Sequence, residues 1–162
     1  MRMKAILALV VAAAMVPGFA AATDLTPYVG KYPFDKVAKR NIFQVPGIKQ
    51  QFEKAFGKGR WATLQSYATA IPIEQTQDDA LGQVLVIGQC KPHDCENSAR
   101  VLIEASGKVI GACFVDFGIK SGTVTWLGDG WHKRATTKAA DVCGKTAAAV
   151  VANFKSAAPA RH

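Results

Sequence analysis

Apolar and polar positions change period along this chain. From Pro46 to Gly57 the apolar residues Ile48, Phe52 and Phe56 recur at every fourth position, and Lys49, Gln50, Gln51, Glu53 and Lys54 take the other side. That spacing predicts an amphipathic helix entered at Pro46 and stopped at Gly57. Arg60 to Ala70 predicts a second helix with Trp61, Leu64, Ala68 and Ile71 on one side, ended by Pro72. Asp78-Asp79 reads as a polar connection. Upstream, Thr23 to Arg40 is mixed and interrupted by prolines, with one short helix expected near Asp35 to Arg40.

After residue 80 the period shortens to two. Leu81 to Gln89 (LGQVLVIGQ) is apolar on both sides and rich in β-branched residues. Ala99 to Glu104 alternates, with Ala99, Val101 and Ile103 opposite Arg100, Leu102 and Glu104. Lys108 to Phe117 and Thr123 to Leu127 predict two more strands, with turns at Ser106-Gly107 and Gly118 to Gly122. Short turns between successive strands imply antiparallel pairing, hence a meander. A sheet that is apolar on both faces needs cover on both. Asp129-Gly130 is expected to turn the chain out of the sheet. A last helix is expected from Ala139 to Phe154, with Ala147, Val150, Val151 and Phe154 on one face, and Ser156 to His162 as a tail. The fold class is α+β: a central antiparallel sheet with helices on both faces.

The N-terminus follows different rules. Arg2 and Lys4 precede an apolar run from Ala5 to Val16. Pro17-Gly18 breaks it, and Ala20 and Ala22 follow in A-x-A register. These are the parts of a secretory signal peptide. Residues 1–22 are therefore expected to be removed on export, leaving 23–162 as one domain. No apolar run is long enough to span a membrane. At 49% hydrophobic and 20% charged the chain is too apolar to be disordered.

Removing Arg2 and Lys4 from the formal charge of +8 leaves +6. A basic balance suits nucleic acid, anionic lipid headgroups or an acidic partner. Export argues against nucleic acid. The cations are scattered, with no run of three, as on an ordinary solvated surface.

Four cysteines, Cys90, Cys95, Cys113 and Cys143, lie in the exported part, an even count that reads as two disulfides. Cys90 and Cys95, five apart with Pro92 between them, are expected to pair locally, which leaves Cys113 with Cys143. In the chain-entropy model the short loop contributes about 2 kcal/mol and the long one about 3.5. The short bridge is thus better suited to bracing a local shape. Lys91, Pro92, His93 and Asp94 lie inside it, at a hairpin tip, and none of them gains from burial. A rigid polar tip loses little ordering entropy on binding.

The hexapeptide Cys90-Lys91-Pro92-His93-Asp94-Cys95, set between two strands of an exported α+β chain, resembles the Ivy family, periplasmic inhibitors of vertebrate-type (C-type) lysozyme. The resemblance runs from Leu81 to Phe117 and elsewhere covers only the order of elements. It implies that the chain is a periplasmic protein and no enzyme, with a C-type lysozyme as partner and no cofactor. A homodimer is left open. It implies that the closed loop enters the lysozyme cleft, with His93 reaching the catalytic glutamate and aspartate. Lys91, Pro92 and Asp94 would seat the loop, and Cys90 and Cys95 would close it. Lysozyme chemistry uses two carboxyl groups flanking the scissile bond, and a protonated imidazole has two N–H donors with which to meet them. Vertebrate lysozymes are strongly basic, so a +6 partner is not steered to them at long range.

Other chemistries fit less well. Cys90, His93 and Cys95 are metal-ligand types, but their spacing matches no common zinc pattern. A thiol oxidoreductase uses C-x-x-C, not C-x4-C. Gly144-Lys145-Thr146 ends like a phosphate loop, but its earlier glycine would fall at Ala139. His93-Asp94 are chain neighbours rather than a base and its orienting group. His132 and His162 are placed in a loop and a tail, and Trp61, Trp126 and Trp131 in the core or its rim. The alternative function is a periplasmic enzyme or small-ligand-binding protein using the same braced loop.

Overall fold

The computed structural model describes residues 23–118, 121–139 and 141–159. The expected leader, residues 1–22, and His162 lie outside the described residues.

Seven strands form one antiparallel sheet: β1 (Thr69–Ala70), β2 (Glu74–Asp78), β3 (Gly82–Lys91), β4 (Asp94–Glu104), β5 (Val109–Phe117), β6 (Gly122–Gly128) and β7 (Trp131–Thr137). From β3 to β7 the strands follow chain order, as a meander does. β1 and β2 lie one after the other along the outer edge of β3, through Thr69↔Cys90 and Glu74↔Val86. Three α-helices cover the sheet: α1 (Ile48–Phe56), α2 (Lys58–Ser66) and α3 (Ala147–Ala157). The expected α+β architecture is present.

Strand alternation divides the core between the two faces. On one face Leu85, Ile87, Val101, Ile103 and Phe114 pack against Ile48 and Phe52 of α1 and Trp61 and Leu64 of α2. The Phe52 ring sits 5.4 Å from Trp61 and 6.5 Å from Phe114, tying both helices to β5. On the other face Val84, Val86, Leu102, Cys113, Val115 and Trp126 pack against Val150, Val151 and Phe154 of α3. A Cβ at Gly111 would collide with the Phe154 ring, so the absence of a side chain there lets α3 close on the sheet. Glu74 Oε2 accepts a hydrogen bond from Ala147 N at 2.7 Å and the Thr146 hydroxyl oxygen accepts one from Ala149 N. The N-terminus of α3 is therefore capped by a carboxylate as well as a hydroxyl.

Several expectations need correction. No helix forms over Asp35–Arg40: among the described residues before α1 the only helical turns are short 3-10 turns at Thr26–Tyr28 and Ile42–Gln44. A six-residue helix has too few internal bonds to offset its nucleation. α2 stops at Ser66 instead of Ala70, leaving Ala68 and Ile71 exposed. Pro72 favours extended backbone before it, and β3 offers Thr69–Ala70 an edge to pair with. The connection at Asp78-Asp79 follows a polar strand, β2. Asp129-Gly130 does not lead the chain out of the sheet. It turns it into β7, which also carries His132, expected in a loop. The last helix starts at Ala147, not Ala139, because Gly144 takes φ +112°, outside the right-handed helical region. Ser156 and Ala157 belong to that helix and not to a tail.

Both expected disulfides are formed, Cys90–Cys95 and Cys113–Cys143. Cys143 lies in the turn before α3 rather than in its first turn, so the longer bridge anchors that turn to β5.

Candidate functional site

β3 and β4 extend beyond their neighbours and end in a tight turn. Lys91 pairs with Asp94, which leaves Pro92 and His93 as the two corner residues. The proline ring fixes φ near −65° at the first corner. His93 takes φ +62° at the second. A negative then a positive φ is the pattern of a type II turn, and histidine is among the side chains that tolerate it. The imidazole is exposed at the apex and makes no hydrogen bond or ion pair among the described residues.

The register slips just behind the tip. Cys90 lies opposite Ser98 while Lys91 lies opposite Asp94, so Cys95, Glu96 and Asn97 have no ladder partner on β3. This bulge brings the Cys95 and Cys90 Cα atoms to 4.8 Å, and the disulfide closes across it. Asn97, also in the bulge, binds in two directions. Its Oδ1 accepts from Phe117 N at 2.7 Å, and its Nδ2 donates to Asp94 Oδ2 at 2.7 Å. The Lys91 ammonium donates to the same Asp94 oxygen at 3.1 Å. These two donors, the lysine first, hold the Asp94 carboxyl below its ordinary pKa. The tip is thus held by a disulfide, a carboxylate and an amide that reaches β5.

All four residues expected at the site, Lys91, Pro92, His93 and Asp94, come together, with roles that divide. Lys91 and Asp94 are occupied with each other, Pro92 makes the bend, and His93 is presented outward. Asn97 was not foreseen. The only sign of it in sequence is that Glu96-Asn97-Ser98 breaks the alternation that starts at Ala99.

Beneath the loop the surface carries both charges. Arg60 of α2 meets Asp116 of β5 at 3.5 Å and lies 4.8 Å over the Phe114 ring. Tyr67 is buried, which raises its hydroxyl pKa. The nearby Asp116 and Asp94 carboxylates push it the same way and Arg60 opposes them. Gln89, 1% exposed, donates from Nε2 to the Tyr67 carbonyl at 2.8 Å, fixing the end of α2 to the base of the hairpin.

No family model, curated protein or solved structure matches the chain.

What the loop can do is set by its own chemistry. All four cysteines are in disulfides, and no cluster of three or more metal-ligand side chains occurs among the described residues. The Asp94 carboxylate, turned to Lys91 and Asn97, does not orient His93 as a base. Lys145 pairs with Asp141 at 3.0 Å and Thr146 caps α3, so two residues of the phosphate-loop-like triplet have structural partners. Trp61 and Trp126 are buried, and Trp131 stacks 5.3 Å from Phe154. An open groove of about 550 Å³ lies between Trp131–Lys133 and Ala157–Pro159 and takes in no loop residue.

Proposed function

We propose that this chain is an exported protein inhibitor of C-type lysozyme and that the Cys90–Cys95 loop plugs the enzyme's cleft. One observation carries the reading: an unpaired imidazole at the apex of a protruding turn whose every flanking residue is fixed. The two catalytic carboxyls of a retaining glycosidase stand about 5–5.5 Å apart. An imidazolium has N–H donors on opposite edges of a flat ring. It fits between two such carboxyls and donates to both, and the sugar is then shut out. No bond is made or broken, so the inhibitor needs no catalytic group of its own. Because the loop is already in shape, little ordering entropy opposes docking.

Two further features support the reading. Paired cysteines belong to oxidising compartments such as the periplasm. The loop end also pairs Asp94 with Lys91 and Asp116 with Arg60, and Glu96 stands exposed on β4. A basic enzyme therefore meets carboxylates there despite the positive net charge, a matter of local fit rather than long-range steering.

The test is a titration of a C-type lysozyme clearing a cell-wall suspension. Stoichiometric loss of lysis as the protein is added is expected. Undiminished lysis at a large excess of protein would refute the proposal.

A further inference from the structure

The segment between the two 3-10 turns has no part in the loop, yet its surface is unusual. It consists of two consecutive tight turns. The first, Tyr32 to Asp35, is closed by Asp35 N to Tyr32 O at 2.9 Å, and the Asp35 carboxylate accepts from Tyr32 N at 2.9 Å. The second, Val37 to Arg40, is closed by a reciprocal pair of backbone hydrogen bonds at 2.9 and 3.1 Å. The Tyr28 hydroxyl pins it by donating to the Arg40 carbonyl at 3.0 Å. Gly30 and Lys31 exchange backbone hydrogen bonds with Ile73 at 2.8 Å each, fixing the segment beside the sheet edge.

These braced turns display an unusual set of side chains. Tyr32 is 51% exposed and Phe34 39%, two of the three large apolar side chains that stand out from the surface among the described residues. Around them Lys31, Lys36, Lys39 and Arg40 are all exposed. None of these four forms an ion pair among the described residues; Lys133 and Arg134 on β7 form none either, but only in this segment do four such cations surround exposed aromatic rings. The one carboxylate within the segment, Asp35, is engaged by a backbone amide. At the second tip Ala38 and Lys39 take φ +48° and +72°, a conformation that glycine or asparagine usually fills. The fold thus holds a lysine side chain out on a strained corner.

Cations around exposed aromatics match the surface of an anionic bilayer. Phosphate headgroups attract the ammonium and guanidinium groups, and aromatic rings settle at the level between headgroup and acyl chain. A second copy of the chain is a poor occupant, since it would set four cations against four. A soluble polyanion would be served by the cations and would leave Tyr32 and Phe34 in water. We infer that the Lys31–Arg40 turns are a docking surface for a membrane rich in anionic phospholipid, on which the protein rests while it acts.

Sedimentation with phosphatidylcholine vesicles, with and without phosphatidylglycerol, tests this on the whole exported protein. Binding to the anionic vesicles and not to the neutral ones is expected. Each cation near such a surface contributes about fivefold to partitioning. Lys36→Glu with Lys39→Glu is therefore expected to weaken binding at least tenfold. Tyr32→Ser with Phe34→Ser is expected to weaken it severalfold. Lys133→Glu with Arg134→Glu, on β7, should stay within twofold of wild type. Circular dichroism and lysozyme titration without vesicles should be unchanged in all three, which separates this proposal from the loop's function. Four results overturn it: no preference for anionic vesicles, no binding at all, an equal loss in the β7 variant, or full binding by the aromatic variant.

Discussion

The two disulfides use the same bond for different ends. Cys113 and Cys143 are 0% and 2% exposed, inside the α3-side core among Leu102, Trp126 and Val150. They join positions 30 apart and fix the turn that launches α3 to the middle of the sheet. Cys90 and Cys95 are five apart at the protruding end of a hairpin, with Cys95 exposed and no buried residue between them. Burial adds little there, so the shape of the tip depends on covalent closure and on the Asp94 hydrogen bonds. The first bridge serves the fold and the second serves a surface. Damage to the two should therefore register in different assays.

The sharpest way to break this division is to remove the buried bridge. Cys113→Ala with Cys143→Ala is expected to lower global stability by about 3.5 kcal/mol. The melting temperature should drop by on the order of 10 °C. Lysozyme inhibition at 25 °C should stay within about twofold, because the tip is untouched. Thermal unfolding and the lysis titration, run on the same sample, check both halves. A large loss of inhibition in folded protein would mean that the two bridges are not independent.

The converse experiment touches only the tip. His93→Ala is expected to lower the melting temperature only slightly, since the side chain is exposed and unpaired and the cost is that of an alanine at positive φ. Truncating a binding hot spot costs about 2 kcal/mol or more, roughly thirtyfold in affinity. Lys133→Ala on β7 is the matched control. A His93→Ala inhibition curve that overlays the wild type would take this residue out of the site.

The tip was legible in sequence because its logic is local: a hexapeptide, a proline and two cysteines. The same holds for α1, with Ile48 and Phe52 one turn apart, and for β3, whose both-sided apolar run matches its burial in both cores. β2 and β7 were missed for the opposite reason. They are edge strands with almost no buried side chains, so Glu74–Asp78 and Trp131–Thr137 carry no apolar alternation to read. β2 is held by its ladder to β3 and by α3, through Glu74 to Ala147 N and Asp78 to Lys155, contacts 73 and 77 positions apart. Asp129-Gly130 is a recognised two-residue hairpin signal. What hid it was the polar strand that followed. Asn97 escaped notice because one of its two bonds reaches 20 positions along the chain, to Phe117.

A milder perturbation opens the loop and leaves its residues in place. Cys90→Ser with Cys95→Ser is expected to cost at most about 2 kcal/mol of global stability, as a short closed loop removes little unfolded-state entropy. Inhibition should weaken about tenfold, because one or two side chains of the tip must then be ordered on binding, at about 0.5–1.5 kcal/mol for each. Denaturant unfolding and inhibition constants, compared with those of the buried-bridge variant, should rank in opposite orders. Equal rankings would erase the distinction between the two bridges.

The smallest effect concerns the Asp94 carboxylate. Lys91 and Asn97 both donate to it and hold its pKa below the ordinary carboxylate value in the folded loop. A depressed pKa means that the ionised form is the one the fold favours. Its contribution is therefore fully present above the unfolded carboxylate pKa of about 3.9. It is lost as pH falls through the lower folded value. The pair is largely solvated, so the gain is small and screened by salt. Asp24, Asp78 and Asp141 are depressed in the same direction by their own donors, so acid sensitivity of the whole protein does not isolate Asp94. The difference between wild type and Asp94→Asn does. Wild-type tip amides, Asn97 Nδ2 above all, should shift in NMR spectra as pH falls below about 4, and the same amides in Asp94→Asn should stay still. The signals of the Cys113–Cys143 region should move alike in both proteins. Matching acid profiles at the tip in wild type and variant would show that the disulfide alone holds the loop, with the carboxylate an incidental neighbour.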